Sequence, residues 1–496
     1  MPTPIGALKR SAIGAAWWTG AQNAADEALR LVIFLLLARL LSPHIYGLMA
    51  LVGVYLAVVK LCVDQGFSRA LIQREDLRPE HLDTAFWSQM AIALSLCAFG
   101  VVAATQIAAA LRQPELAPVL RAMALLTPLQ ALNTVQLARF ERDFQARRFA
   151  AATLGGSLAG GALALAMAQQ GFGLWSLVAQ QLGAAVINAT IVWRLSSWRP
   201  RLRFSRTAFD DLFGFSRNLL GLSVLQFLAK QGDKLLVGLV LGPIALGLYA
   251  TAQRLIETIV QVAVRPLSKL GLPVLSRLQS DPGGLCTAFH RLQQVTSALA
   301  FPVFAGLFAL APEIVALVLG PKWGPVAPLL SILAAMGAFH ALALIDAALI
   351  VSQGHTLLRL KMNAVYLLGA FLVAFVFVHF GIEAMTVAVV AAAFVFLPFE
   401  LRQALRIARG SAREMNSRLW PVVLASALML AAMLSALAWP LAGLPGWERV
   451  ALAAPLGALV YAAALAVASP SLVRWLLQLR RVARGAAPDM TARPSG

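Results

Sequence analysis

This sequence predicts an all-α integral membrane fold of about fourteen transmembrane helices, with two pseudo-symmetric six-helix lobes and a C-terminal helix pair. Three observations predict it. Of 496 residues, 60% are hydrophobic and only 13% charged, with a mean hydropathy of +0.76. The charged surface a soluble chain carries, roughly a quarter of its residues, is missing. Apolar windows long enough to cross about 30 Å of hydrocarbon recur along the chain. Lys and Arg gather in alternate loops between those windows.

The windows follow one another in pairs. The first, near 14–38, comes after Lys9 and Arg10. It lacks the apolar core and small-residue cleavage site of a signal peptide, so it is expected to stay in the mature chain. The second, 46–66, leaves through Arg69, Arg74 and Arg78. Windows 84–108 and 116–138 return to Arg139, Arg142, Arg147 and Arg148. Windows 150–169 and 172–193 return to Arg194, Arg199, Arg201 and Arg203. A second series runs 217–240, 246–272, 292–318, 327–350, 360–379 and 382–404, and its basic loops hold Arg277, Arg291, Arg359, Lys361, Arg402 and Arg406. Windows 419–439 and 449–469 complete the set before a basic tail.

The opposite loops offer only Arg39, Arg112, Arg121, Lys322 and Arg449, a bias of roughly six to one that puts both termini in the cytoplasm. Trp17, Trp18, Trp175, Trp193, Trp198, Trp420, Trp439 and Trp447 fall at or near window ends, where an amphipathic ring suits the interface. Phe204 to Arg217 mixes aromatics with charge and predicts a short interfacial helix. The expected organisation is an N-lobe at 1–195, a cytoplasmic interfacial linker at 196–216 and a C-lobe at 217–405. A helix pair at 406–473 and a basic cytoplasmic tail at 474–496 follow.

The net charge of +19 has its cause in those cytoplasmic loops, which meet anionic headgroups. Nucleic acid is not expected as a partner, because no basic stretch is interleaved with exposed aromatics. Cys62, Cys97 and Cys286 have no spacing that suits a metal or a disulfide framework, and His340, His355 and His379 are scattered. No metal and no cofactor are expected.

The chain also repeats itself. Leu41-Ser42-Pro43-His44-Ile45-Tyr46-Gly47-Leu48 matches Leu241-Gly242-Pro243-Ile244-Ala245-Leu246-Gly247-Leu248, an offset of 200 residues (41 to 241). Each stretch sits at the first hairpin of its half. There a Pro is expected to end one helix and a Gly to ease the start of the next. The same offset pairs Arg30 with Lys230 and Arg69 with Lys269. Two parallel six-span halves of this kind suit a transporter that rocks about a site at their interface.

Charges inside the windows mark that site, because a charge at bilayer depth needs a partner or a wet cavity. Gln22, Asp26 and Arg30 stripe the first span; Gln226, Lys230, Asp233 and Lys234 the seventh; Arg254, Glu257, Gln261 and Arg265 the eighth. Lys60 and Asp64, four apart in the second span, read as a neutralising pair. Arg30, Lys230, Lys234, Arg254 and Arg265 are the candidate cations of a cavity for a phosphorylated ligand, since guanidinium forks match phosphate oxygens. Asp26, Asp64, Asp233, Glu257 and Asp346 are candidates for ion coupling or charge balance. No catalytic residue is expected: the outward loops at 169–172, 242–245, 320–325 and 379–382 are too short for a domain, and no triad or phosphate-cradling loop is present.

These residues resemble a known family. The hairpin Leu41-Ser42-Pro43…Tyr46-Gly47-Leu48, the segment Asp64-Gln65-Gly66-Phe67-Ser68-Arg69-Ala70-Leu71-Ile72-Gln73-Arg74, and Leu319-Gly320-Pro321-Lys322-Trp323…Ala327-Pro328-Leu329-Leu330 are similar to those of the polysaccharide transporters. These belong to the multidrug/oligosaccharidyl-lipid/polysaccharide (MOP) superfamily. The likeness is nearest the O-antigen and exopolysaccharide flippases of the colanic acid exporter type and covers roughly residues 10–475. It implies a MATE/MurJ-like two-lobed bundle in a bacterial inner membrane, opening alternately to each side. The implied substrate is an undecaprenyl-pyrophosphate-linked oligosaccharide, with membrane lipids and the polysaccharide polymerase machinery as partners. The family's cavity cations on its first, seventh and eighth helices would here be Arg30, Lys230, Lys234, Arg254 and Arg265. Two rivals are a multidrug cation antiporter of the same fold, with twelve spans and an acidic cavity, and a membrane glycosyltransferase or polymerase, which needs larger outward loops.

Overall fold

The computed structural model describes residues 25–64, 71–72, 77–143, 145–211, 227 and 231–475, the side chains at 62, 64, 146 and 266–270 excepted. All regular structure among them is helical. Helix α1 covers 25–40, α2 Pro43–Asp64, α3 Pro79–Ala110, α4 Leu116–Ala124 and α5 Leu126–Arg142. Then come α6 (Ala146–Gln169), α7 (Leu174–Leu195), α8 (231–240) and α9 (Gly242–Ile259). A π-helical turn, Val260–Val264, joins α9 to α10 (Arg265–Arg277). The rest are α11 (Pro282–Val318), α12 (Val326–Ser352), α13 (Thr356–Phe377), α14 (Ile382–Ala408), α15 (Ala412–Ala438) and α16 (Gly446–Ala468).

Ten of the described helices, α2, α3, α6, α7 and α11 to α16, are long and apolar enough to cross a membrane. They coincide with ten of the predicted windows. The first and seventh windows lie partly outside the described residues. The fourth breaks at Leu125 into α4 and α5. Pro128 has no N–H to give the Ala124 carbonyl, so the ladder is interrupted there. The eighth is rich in charge and carries the π turn. The chain is a multi-pass membrane protein, and Trp439 and Trp447 stand exposed at its helix ends, while the exposed Trp420 lies about two turns inside α15.

Contacts divide the chain into two compact units. The first is Met1–Thr251 with Val318–Trp323 and Leu367–Met385. Its closest helix pair is held by small residues: a Cβ on Gly156 would stand 2.8 Å from the Ala184 carbonyl oxygen, and one on Gly160 2.4 Å from that of Gln180. This small-xxx-small spacing lets α6 and α7 approach backbone to backbone where lipid offers no hydrophobic drive. Asn188 of α7 bridges them by donating to the Ala152 carbonyl (3.0 Å) and accepting from Asn133 of α5 (3.1 Å).

The two repeated hairpins meet in this unit. Pro43 stands at the start of α2 and Pro243 is the second residue of α9, so each proline opens a helix, where its missing N–H costs nothing. The expectation that the prolines end helices is corrected accordingly. The glycines serve contact instead. A Cβ on Gly47 would lie 1.7 Å from the Pro243 carbonyl oxygen, and one on Gly247 1.9 Å from that of Pro43.

The Leu319–Trp323 loop caps α1. Trp323, fully buried, donates from Nε1 to the Ala38 carbonyl (2.7 Å), and the Lys322 ammonium donates to that of Arg39 (2.6 Å). Both carbonyls lie in the last turn of α1, where the intrahelical ladder runs out. Burial lowers the Lys322 pKa from the ordinary lysine value. Tyr46 meets the Trp323 ring edge-on at 5.3 Å and donates to the Phe34 carbonyl (3.0 Å). At 201–205 the linker is tied to the start of α3: the Arg201 N–H donates to Asp83, the Ser205 N–H to Thr84, and Trp87 to the Arg201 carbonyl. Residues 206–211 are helical, as predicted for that stretch.

The second unit is Ala252–Leu317 with Gly324–Tyr366 and Thr386–Gly496. One of its cores joins Leu275, Phe289, Ile345, Leu349, Leu405 and Met415 of α10, α11, α12, α14 and α15. Gly337 of α12 leaves room for the Phe304 ring, which a Cβ would meet at 2.1 Å. The terminal helix pair packs through Gly457 of α16, whose missing Cβ admits the Met433 sulfur of α15 at 2.5 Å. Tyr461 of α16 donates to the Ala298 carbonyl of α11 (2.7 Å).

Candidate functional site

The first unit carries a half-open cavity of about 550 Å³, the size of a small-molecule site. Its walls come from α2, α5 and α7. Leu56, Val59, Val63, Leu126 and Leu137 make it mainly apolar, while Lys60, Thr127, Gln130, Thr134, Glu141 and Gln181 supply polarity. On α5, Gln130, Thr134, Leu137 and Glu141 recur every three or four residues, so one face of this helix lines the space. Its cation is Lys60, exposed on α2. The sequence reading set Lys60 aside as half of a pair with Asp64, whose side chain lies outside the described residues. The signal it missed was Gln130, Thr134 and Gln181, polar residues within apolar windows.

Of the predicted cations, the described ones, Arg30, Lys234, Arg254 and Arg265, are not among the residues lining this cavity. Arg30 on α1 pairs through Nε with Asp26 one turn earlier (2.9 Å), and Asp26 also accepts from Ser157 of α6 (2.8 Å). That carboxylate ties α1 to α6. Lys230, Gln22 and Gln226 lie outside the described residues. Asp233 accepts from the buried Tyr249 hydroxyl (2.8 Å) and, with its other oxygen, from the Lys234 backbone N–H (2.8 Å). Lys234 is half-buried.

Arg254, half-buried, and Arg265, exposed, flank the π turn. Within the expected stripe of Arg254, Glu257, Gln261 and Arg265 the helix ladder changes from α to π at Val260–Val264. The Arg265 N–H reaches back five residues to the Val260 carbonyl, and that extra residue shifts the helix phase by about 100°. Pro266, which has no N–H to donate, follows directly. Glu257 and Arg265 both act electrostatically on His340 of α12, and such π turns occur often at functional sites.

In the second unit Asp346 of α12 is fully buried. Gln293 of α11 donates from Nε2 to Asp346 Oδ1 (2.6 Å) and to the Leu342 carbonyl (3.2 Å). Asp346 Oδ2, Gln293 Oε1 and the Ser297 hydroxyl, one turn further along α11, are buried without a hydrogen-bond partner among the described residues. A cluster of buried oxygens can hold a proton or a small cation. Sequence reasoning marked Asp346 but missed Gln293, because two distant helices supply them. It also missed the ion pair of Arg359 on α13 with the buried Glu400 of α14.

The sequence profile of a family described as "Polysaccharide biosynthesis protein" matches residues 36–328, more than half of the chain. The chain belongs to this family. ExoT of Rhizobium meliloti (strain 1021), a succinoglycan biosynthesis transport protein, is 28% identical over 64% of this chain and 64% of its own length. The lipopolysaccharide biosynthesis protein WzxC of Escherichia coli (strain K12) is 22% identical over 72% of this chain and 73% of its own length. The chain thus spans a little under two thirds of ExoT and a little under three quarters of WzxC. Among solved structures, the lipid II flippase MurJ in an inward closed conformation superposes with a TM-score of 0.75 at 12% identity, covering 92% of this chain and 99% of that one. An inward-facing MATE family multidrug resistance transporter of the MOP superfamily gives 0.62 at 16% identity, covering 78% of this chain and 96% of that one. This family member therefore has the MurJ and MATE fold, and one of these relatives, ExoT, carries a transport name.

Proposed function

We propose that the protein is a flippase for lipid-linked oligosaccharides, moving undecaprenyl-pyrophosphate-bound repeat units across the bacterial inner membrane for cell-surface polysaccharide assembly. The observation that carries this reading is a polysaccharide-biosynthesis family sequence folded as a transporter bundle, alike to MurJ over 92% of its length. Its two lobes, 1–195 and 217–405, alternate access while the C-terminal helix pair borders the lipid tail, with both termini cytoplasmic. Arg30, Lys230, Lys234, Arg254 and Arg265 attract the pyrophosphate, and Lys60 joins them from the cavity in the first unit. Asp346, held by Gln293, is the coupling carboxylate. The protein carries out no bond chemistry and hands its cargo to the polymerase.

The likeness to a multidrug transporter favours a second reading, cation antiport. Its coverage is lower, and the candidate cavity residues are more basic than that reading needs. Deleting the gene and following lipid-linked oligosaccharides separates the two. A flippase mutant assembles the intermediate and keeps it on the cytoplasmic leaflet. Normal translocation together with greater sensitivity to cationic drugs would favour antiport.

A further inference from the structure

Three ligand-type side chains that the transport reading leaves unused meet where α11 and α15 begin. Cys286 and His290 are one turn apart on α11, and Glu414 lies in the first turn of α15. Cys286 Sγ is 3.8 Å from His290 Nδ1, which is 3.7 Å from Glu414 Oε2. All three ligand atoms lie within 4.8 Å of one another. Around a tetrahedral zinc ion, bonds of about 2.3 Å to sulfur and about 2.0–2.1 Å to nitrogen or oxygen set neighbouring ligand atoms roughly 3.3–3.6 Å apart. The two measured edges exceed that by a few tenths of an ångström, which small side-chain rotations close.

A second observation points the same way. His290 is 1% exposed, and its Nε2 is buried without a hydrogen-bond partner among the described residues. That nitrogen and Cys286 Sγ both border the space over Gly410, each 3.1 Å from where a Cβ would stand. A side chain at 410 would fill this space, and glycine leaves it open. Flipping the imidazole presents either nitrogen to an ion bound by the thiolate.

Charge and softness select the ion. Thiolate and carboxylate together carry two negative charges, which balance a divalent cation. Arg418, one turn beyond Glu414, acts electrostatically on both Cys286 and His290, so its positive charge adds to the charge that the two anionic ligands offset. Sulfur with imidazole suits zinc-class ions rather than magnesium or calcium. Glu414 is exposed and Cys286 half-buried, so the ion arrives from solvent and water completes its shell.

We propose that Cys286, His290 and Glu414 form a site for a zinc-class divalent ion that ties the second and third turns of α11 to the first turn of α15. Binding exchanges the thiol proton, released to solvent, for a sulfur–metal bond, with no redox change. The test uses the full chain purified in lipid nanodiscs and loaded with Zn²⁺ or Co²⁺. Wild type and Cys97→Ser should each retain one equivalent of zinc after gel filtration and show a thiolate-to-cobalt absorption band. Cys286→Ser should lose that band, and both it and His290→Gln should bind zinc at least about tenfold more weakly. Glu414→Gln should weaken binding and keep the band. If a His290 variant fails to fold, Cys286→Ser decides alone, with its melting curve as the control. Equal zinc retention by wild type and Cys286→Ser, or no retention by wild type, would overturn the proposal.

Discussion

Gly47 and Gly247, equivalent positions of the two sequence repeats, lie in reciprocal contact: each faces the carbonyl oxygen of the proline that opens the other's helix. Residue i meets j′ as j meets i′, the pattern of a two-fold axis. The duplication read from the sequence is thus also a packing relationship. At such a contact only glycine fits, since a methyl group would sit far inside the carbonyl's van der Waals radius.

Gly47→Ala and Gly247→Ala should each destabilise the protein by about 1–3 kcal/mol through overpacking. Gly53, on the same helix, has nothing within 4 Å of its missing Cβ, so Gly53→Ala should be neutral or stabilise by about 0.4–1 kcal/mol. Melting curves in detergent check both. Equal melting temperatures for the Gly47 and Gly53 variants would remove the close contact from the account.

Trp323→Ala removes a fully buried ring and leaves the Ala38 carbonyl without its donor. A loss of about 3–5 kcal/mol is expected. Trp323→Phe keeps most of the packing and forfeits the N–H, so it should cost about 1–3 kcal/mol. The order wild type, Phe, Ala in thermal stability is the result to look for.

Breaking the Arg359–Glu400 pair strands a charge at Glu400, which is 2% exposed. Arg359→Ala should cost about 3–5 kcal/mol, whereas the double change Arg359→Met with Glu400→Leu should recover much of that. A double-mutant cycle on denaturation midpoints measures the coupling. Additive single effects would show that the pair contributes nothing.

Lys60→Ala should leave the melting temperature within a degree or two, since the side chain is exposed, and reduce polysaccharide export. Asp346→Asn can still accept the Gln293 hydrogen bond, so the fold should survive while ion-driven transport fails. Export assays beside expression controls decide each case. Wild-type export by a stably folded Asp346→Asn protein would take coupling away from that carboxylate.

Much of the architecture was legible because lipid is a severe solvent. A helix must be long and apolar to span it, so α2, α3, α6, α7 and α11 to α16 announced themselves. The break at Leu125 and the π turn after Ile259 did not, although Pro128 and Pro266 were in plain sight. A proline shows where a ladder bond is lost, and only the packed neighbours decide whether the chain kinks, splits or widens. The cavity beside Lys60 was hidden for a related reason: spacing along one helix suggests a local partner and cannot reveal walls supplied by α5 and α7.

The sequence by itself determined the solvent, ten of the spans and the duplication at residues 41–50 and 241–250, and it set the sidedness expected from arginine placement. Each follows from one-dimensional pattern acting on a local rule. Only the tertiary structure decided which polar groups share a space: Asp26 with Ser157, Gln293 with Asp346, Cys286 and His290 with Glu414. Helical periodicity says which face a residue occupies, and the neighbour on that face comes from a distant part of the chain, chosen by packing.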